Sequence, residues 1–164
     1  MNSRKLAIKV KIVSPLLKKN IPLPTYATPG SAAMDLHACC EEPLIIPARG
    51  RGKIPTGIAI EIPDPEMVAL VFPRSGLASK YGISLSNAVG VIDSDYRGEI
   101  ICLIQNNQDR DFVVNPGDRI AQLGFFPIYK VSWEEVQELN ETGRGDGGFG
   151  STGFSQMKEG GVLK

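Results

Sequence analysis

PLIIPARGRGKIPTGIAIEIPDPEMVALVFP, residues 43–73, holds three short apolar runs, PLIIP, GIAIEIP and MVALVFP, each closed by proline. Proline has no N–H to give to a ladder, so it marks where a strand stops. Runs this short, set off by turn residues, suit strands better than helices. The same punctuation continues through GEIICLIQN (98–106), FVVNPGDR (112–119) and AQLGFFPIY (121–129). Upstream, MNSRKLAIKVKIV reads as a first strand with Leu6, Ile8, Val10 and Ile12 on one face. Many short strands separated by Pro, Gly, Asn and Asp indicate an all-β sandwich or barrel. Two places break the pattern. SGLASKYG (75–82) has a serine start and a glycine stop and predicts one short helix. SWEEVQEL (132–139) carries a Ser-x-x-Glu capping pattern, yet it also fits a final strand through Val131, Trp133 and Leu139.

Composition narrows the function. At 164 residues the chain is long enough for one domain with its own core. Eighteen basic and eighteen acidic side chains cancel, which argues against a nucleic-acid-binding surface and leaves any phosphate chemistry to a few local cations. Three cysteines, two of them adjacent at 39 and 40, make a poor disulfide framework and suit a reduced, cytoplasmic protein. No apolar run approaches the ~20 residues of a membrane span. Lys9 and Lys11 interrupt the N-terminal apolar stretch, so it makes a poor signal peptide.

Five stretches carry residues suited to chemistry. PRSGLA (73–78) sets Arg74 and Ser75 at the start of the expected helix, where free N–H groups suit an anion; otherwise it is a capped helix with a surface arginine. NAVGVIDSDYRGEI (87–100) reads as a β-hairpin or a sharp strand-turn-strand, with Asp93 either a turn-former or a general base. Gly90 and Gly98 there would permit close backbone approach by a ligand. SAAMDLHA (31–38) puts Asp35 among apolar residues, where a carboxylate needs partners. DRIAQLG (118–124) offers Arg119 and Gln122, which in isolation read as surface strand residues. Finally, GRGDGGFGSTG (143–153) is glycine-rich and permissive like a disordered tail, yet it carries Arg144, Phe149, Ser151 and Thr152, groups that suit phosphates and a stacked base. His37 is the only histidine and has no recognisable triad setting, and the cysteines lack zinc-ligand spacing. Carboxylate and arginine chemistry on phosphates remains, with Mg²⁺.

In this order, SAAMDLHA, PRSGLA, NAVGVIDSDYRGE, RIAQL and RGDGGFGSTG resemble the five motifs of the trimeric dUTP pyrophosphatases, the dUTPases, across residues 31–153. The resemblance implies a jelly-roll-like β fold over residues 1–140 and a mobile C-terminal arm, 141–164, that closes over the active site. It implies a homotrimer whose sites are shared between subunits, with 131–139 as the last strand before the arm. The implied reaction is dUTP plus water giving dUMP and pyrophosphate, with Mg²⁺ held by the triphosphate. That activity supplies dUMP for thymidylate synthesis and keeps uracil out of DNA. Asp93 would be the base that activates water. Arg74, Ser75, Gly76 and Gln122 would grip the phosphates, joined from the arm by Arg144, Gly150, Ser151 and Thr152. Asn87 and backbone near Gly90, Val91, Ile92 and Ile101 would read uracil. Tyr96 would pack under the deoxyribose and Phe149 would stack on the base. Asp35 would act in an outer shell near the metal, with no direct protein ligand to it.

One residue departs from the pattern: Ala33 stands where the family's first motif usually has glycine. Were positive φ required there, alanine would cost about 1 kcal/mol; a β conformation would tolerate the methyl. Two other readings have the same fold. A dCTP deaminase, or a bifunctional deaminase and dUTPase, needs a carboxylate at the base site, and none is obvious in the sequence. Loss of Asp93 or of the arm would favour a nucleotide-sensing regulatory protein, and both are present.

Overall fold

The computed structural model describes residues 6–148, and the chain divides after Lys130 into two units. The first unit is built of eleven short strands and one helix. The apolar runs of the sequence become β1 (Lys9–Ile12), β2 (Met34–His37), β3 (Leu44–Ile46), β4 (Arg51–Pro55), β5 (Ile58–Glu61) and β6 (Met67–Phe72). After helix α1 (Ser75–Tyr81) come β7 (Ile83–Leu85), β8 (Gly90–Ile92), β9 (Ile101–Asn106), β10 (Phe112–Val114) and β11 (Arg119–Pro127). Pro73 ends β6 and hands the chain to α1, which stops at Gly82 in the left-handed region, φ 58°. There the Gly82 N–H reaches back to the Ala78 carbonyl, a common glycine stop.

The larger sheet has the order β2-β11-β6-β8 and the second β4-β9-β7; two-stranded ribbons β1-β5 and β10-β3 complete the unit. Every pairing between these strands is antiparallel. This jelly-roll-like, mostly β architecture with one short helix is the expected class. Alternate strand residues point inward. Leu36, Ile54, Ile58, Ile83, Ile100, Ile104 and Leu123 are almost wholly buried together. Asn106 is buried with them, its amide donating to Ile46, Pro47 and Arg110 carbonyls, so its polar atoms are paired where an unpaired one would cost ~1–3 kcal/mol.

The strand around Val10 forms and pairs with β5, with Val10 and Ile12 exposed. Of the two forms considered for 87–100, the strand-turn-strand is the one present, because β8 pairs with β6 while β9 pairs with β4 and β7. One expectation changes: 131–139 is neither the helix nor the strand considered for it. That segment belongs to the second unit, and its Trp133 and Leu139 are 95% and 87% exposed. A strand needs a ladder partner, and the described part of this unit contains no other strand to supply one.

Within the second unit, residues 142–147 form a self-contained turn. Gly145, at φ 54°, donates to Thr142, and the Arg144 Nε donates to the Gly147 carbonyl at 2.8 Å. Phe149, Gly150, Ser151 and Thr152 lie outside the described residues.

Candidate active site

A cleft of about 250 Å³ opens between β8 and the start of β9, floored by Val71 and Leu85. Six residues singled out in the sequence line it: Asn87, Gly90, Val91, Ile92, Tyr96 and Ile101, with Asp93 at its rim. The cleft exists because two neighbouring strands go to different sheets and leave edges facing each other. β8 is the last strand of its sheet. β7 covers β9 only from Ile104 to Asn106, with the Ser86 N–H reaching the Leu103 carbonyl beyond. Opposite Ile101 on the other flank stands Pro55, which has no N–H and whose carbonyl accepts from the Cys39 N–H at 2.8 Å. Since backbone groups alternate in direction along a strand, those of Ile101 face the cleft side with Leu103, away from β4. A ligand there meets donors and acceptors that no strand has claimed.

Asn87 is presented by a tight turn. Ala88 sits in the left-handed region, φ 61°, and the Val89 N–H bonds the Asn87 carbonyl at 2.7 Å. A non-glycine residue there carries strain of roughly 1–3 kcal/mol, which concentrates at functional sites. A Cβ on Gly90 would press on Val71 at 3.1 Å and lie 3.6 Å from the Asn87 amide nitrogen, so glycine lets the amide lie against the strand.

The turn that follows β8 is held by several bonds. The Tyr96 N–H bonds the Asp93 carbonyl at 3.1 Å, and Arg97 donates to the carbonyls of Ser94 and Tyr96 at 2.7 and 3.0 Å. The Tyr96 hydroxyl donates to the Glu99 carbonyl at 3.0 Å. Glu99 lines the cleft too, a residue the sequence did not single out, but its carboxylate accepts from the Gly57 N–H at 2.7 Å and so ties the turn to the β4–β5 connection. Thr56 adds a second tie, its hydroxyl donating to the Ile100 carbonyl at 2.6 Å. The Asp93 carboxylate stands exposed at the rim of this fixed loop.

Cys102 forms part of the cleft wall, and burial pushes its thiol up from 9.0 to about 12. It is a neutral, unreactive surface at neutral pH. Its folded value is raised, so its contribution to stability is complete below about pH 9. The contribution is lost between pH 9 and about 12, as the unfolded chain ionises and the folded chain does not. Iodoacetamide at pH 8 is expected to label Cys40, which is partly exposed, and to spare Cys102 until the protein is denatured. Equal native labelling of Cys102, read by peptide mass, would contradict this.

A second cluster lies on the four-stranded sheet. Gln122 of β11 stands opposite Asp35 of β2 on one side and Phe72 of β6 on the other, two residues before Arg74. Asp35, its side chain only 12% exposed, is gripped by two arginines: Arg74 Nε at 3.0 Å from one oxygen and Arg119 Nη1 at 3.3 Å from the other. Arg74 also donates to the Arg119 carbonyl at 3.3 Å, which fixes the direction of its guanidinium fork. Ser75 and Gly76 follow Arg74 in the first turn of α1.

Arg119 reaches this cluster through a register break. Between Arg119 and Ala121 the β11–β2 ladder slips by one residue, so Arg119 pairs with His37 and Gln122 with Asp35. Regular alternation would turn positions 119 and 122 to opposite faces; a bulge re-aims the first of them. Arg119 remains a half-exposed strand residue, as its surface reading has it, but it also pairs with Asp35, and nothing in the local sequence signals the extra residue that allows this. His37 shares the face. Burial lowers its pKa, Asp35 opposes the shift and the two guanidinium groups add to it, while Nδ1 is buried without a described partner. Ala33 is not among the positive-φ residues, so its methyl meets no left-handed backbone; it lies in a bend just before β2. None of Arg74, Ser75, Gly76 and Gln122 lines the cleft. Arg144 lies in the second unit.

The dUTPase family model matches residues 19–153. The chain is 54% identical over 149 residues to the deoxyuridine 5'-triphosphate nucleotidohydrolase of Desulfitobacterium hafniense, covering 91% of this chain and 99% of that one. It is 51% identical over 146 residues to the protein of the same name from Legionella pneumophila, covering 89% and 96%. Among solved structures it is similar to the dUTPase of Staphylococcus bacteriophage 80alpha with dUPNHPP, TM-score 0.79 at 25% identity over 91% of this chain and 99% of that one. The dUTPase of S. aureus phage phi11, solved as a mutant with a structural Mg(II) ion, has a TM-score of 0.70 at 23% identity, covering 81% and 98%.

Proposed function

The chain belongs to the dUTPase family, and on that premise we propose that it hydrolyses dUTP to dUMP and pyrophosphate with Mg²⁺. The reaction supplies dUMP for thymidylate synthesis and keeps uracil out of DNA. The observation that carries the site assignment is the cleft between two unpaired strand edges with Asp93 at its rim. Uracil fits there by backbone recognition. Near Ile101, Gly90 and Val91 the free strand edges offer donors and acceptors in fixed order, and the Asn87 amide adds both. Cytosine reverses the pattern at one edge and would leave groups unpaired, a strong basis for rejection. Thymine's methyl meets the close walls of a small cleft. Val91 and Ile101, 61% and 46% exposed, gain cover when the cleft fills.

Asp93 accepts the proton of a water that attacks the α-phosphorus in line. The bond to the bridging oxygen breaks and pyrophosphate leaves. Phosphoryl transfer asks mainly for positioning and charge stabilisation. Arg74, Ser75, Gly76 and Gln122 provide these at the phosphates, with Arg144, Gly150, Ser151 and Thr152 brought by the 141–164 arm and Phe149 stacking on the base. The ion pairs of Asp35 support a role in aiming Arg74, and with both oxygens engaged it suits an outer shell around the metal. Mg²⁺ held by the triphosphate would offset its charge.

The phosphate-binding groups do not line the cleft of their own chain, which favours a homotrimer whose sites are completed between subunits. Exposed Val10 and Ile12 on β1, and exposed Trp133 and Leu139, are surfaces such an assembly would cover. Three free thiols favour a cytoplasmic setting. No described helix is long and apolar enough to cross a membrane. Deamination is disfavoured because the second carboxylate of the cleft, Glu99, is committed to the Gly57 amide.

The deciding experiment measures pyrophosphate and ammonia from dUTP, dCTP, dTTP and UTP side by side with Mg²⁺. Pyrophosphate from dUTP alone is expected. Ammonia from dCTP would make the protein a deaminase, and tight dUTP binding without turnover would make it a sensor.

A further inference from the structure

We propose that Gly98 is a specificity-determining position: by leaving no side chain beneath Tyr96, it sets the pose in which that ring closes the sugar end of the cleft. The inference rests on the reading that Tyr96 packs under the deoxyribose. A Cβ built on Gly98 would overlap the Tyr96 hydroxyl and Cζ and would stand 3.0 Å from Cε2. Gly98 is not among the glycines with positive φ, so the backbone does not demand glycine there. Space does.

The atoms that an added methyl would meet are the far end of one side chain. Tyr96 is 43% exposed, so the ring has solvent to move into and the core is untouched. Moving it breaks the bond from the hydroxyl to the Glu99 carbonyl, which is what holds the ring over the turn. Glu99 is anchored in turn through Gly57, so the carbonyl will not follow the ring. Gly98, Tyr96 and the Glu99 carbonyl together act as one latch. Discrimination against a 2′-hydroxyl then depends on a residue that does not line the cleft.

The test compares kcat/KM for dUTP and UTP in the wild type, Tyr96→Ala, Gly98→Ala and the double variant. Both single variants should lower the dUTP-to-UTP ratio by about tenfold or more, and the double variant should match Tyr96→Ala with no further loss. A relaxed ratio in Tyr96→Ala with a wild-type ratio in Gly98→Ala overturns the role of Gly98 and leaves the sugar reading intact. An unchanged ratio in Tyr96→Ala overturns both. Should Gly98→Ala fail to fold, the double variant, which has no ring to displace, is expected to fold and to show the Tyr96→Ala ratio. Failure of the double variant to fold would place another constraint at position 98 and overturn the proposal.

Discussion

Asp93→Asn should bind dUTP within a few-fold of the wild type and turn it over on the order of 10²–10⁴ times more slowly, the usual contribution of a general base. The substitution keeps the size and shape of the side chain. It also spares the loop, which is fixed by the Tyr96 N–H, by Arg97 and by Glu99 and not by the Asp93 carboxylate. The proposed uracil contacts on β8 and β9 are therefore expected to persist. Only the proton acceptor is removed. Calorimetric titration with dUTP beside a single-turnover assay separates the two quantities. Wild-type turnover would remove Asp93 as the base, and loss of binding in proportion to rate would make it a binding residue.

The second large effect is expected at Asp35. Asp35→Ala leaves Arg74 and Arg119 facing each other without the carboxylate that now separates and neutralises them. Hydrogen bonds to charged groups contribute about 1.5–3 kcal/mol each, and the half-exposed Arg119 belongs at or below the lower end of that range. A stability loss of about 2 kcal/mol follows, read as a shift in denaturant midpoint. On the proposed phosphate role of Arg74, activity should fall further than stability predicts, because its guanidinium loses the carboxylate that fixes its direction. On about tenfold per 1.4 kcal/mol, a drop in kcat/KM of about 10²-fold corresponds to misplacing one such arginine. In an Arg119→Ala background the same substitution should be milder in stability, since one of the two stranded charges is gone. A stable, fully active Asp35→Ala protein would end this account.

What could be read from the sequence was local. Proline after Ile46, Ile62 and Phe72 marked strand ends, and the glycine at 82 marked the end of α1, because each acts on its own backbone. Asn87, Gly90, Val91, Ile92, Tyr96 and Ile101 were named as a group through the resemblance of their stretch to a family motif, and one continuous stretch does carry them into one cleft. Which strands pair was not legible. β8 and β9 are separated by a short turn and look like a hairpin, yet each prefers a partner far away in the chain. The bulge before Ala121 was hidden for the same reason, since a slipped register exists only relative to β2. So was the ion pair of Arg119 with Asp35. Residues 131–139 show the converse: an apolar alternation promises a strand, but a strand is a property of two segments, and the described unit holds only one.

The short length of β7 has one more meaning. It stops after three residues, and where it stops β9 runs on with one flank bare. A pyrimidine bound there would stand in for the next residue of β7, completing a ladder the chain leaves unfinished. Recognition of that kind has a natural rival inside the molecule. An insertion that let β7 continue by three residues, as far as Ile101, would satisfy the same backbone groups and shut the site by folding alone, with every proposed catalytic side chain still in place.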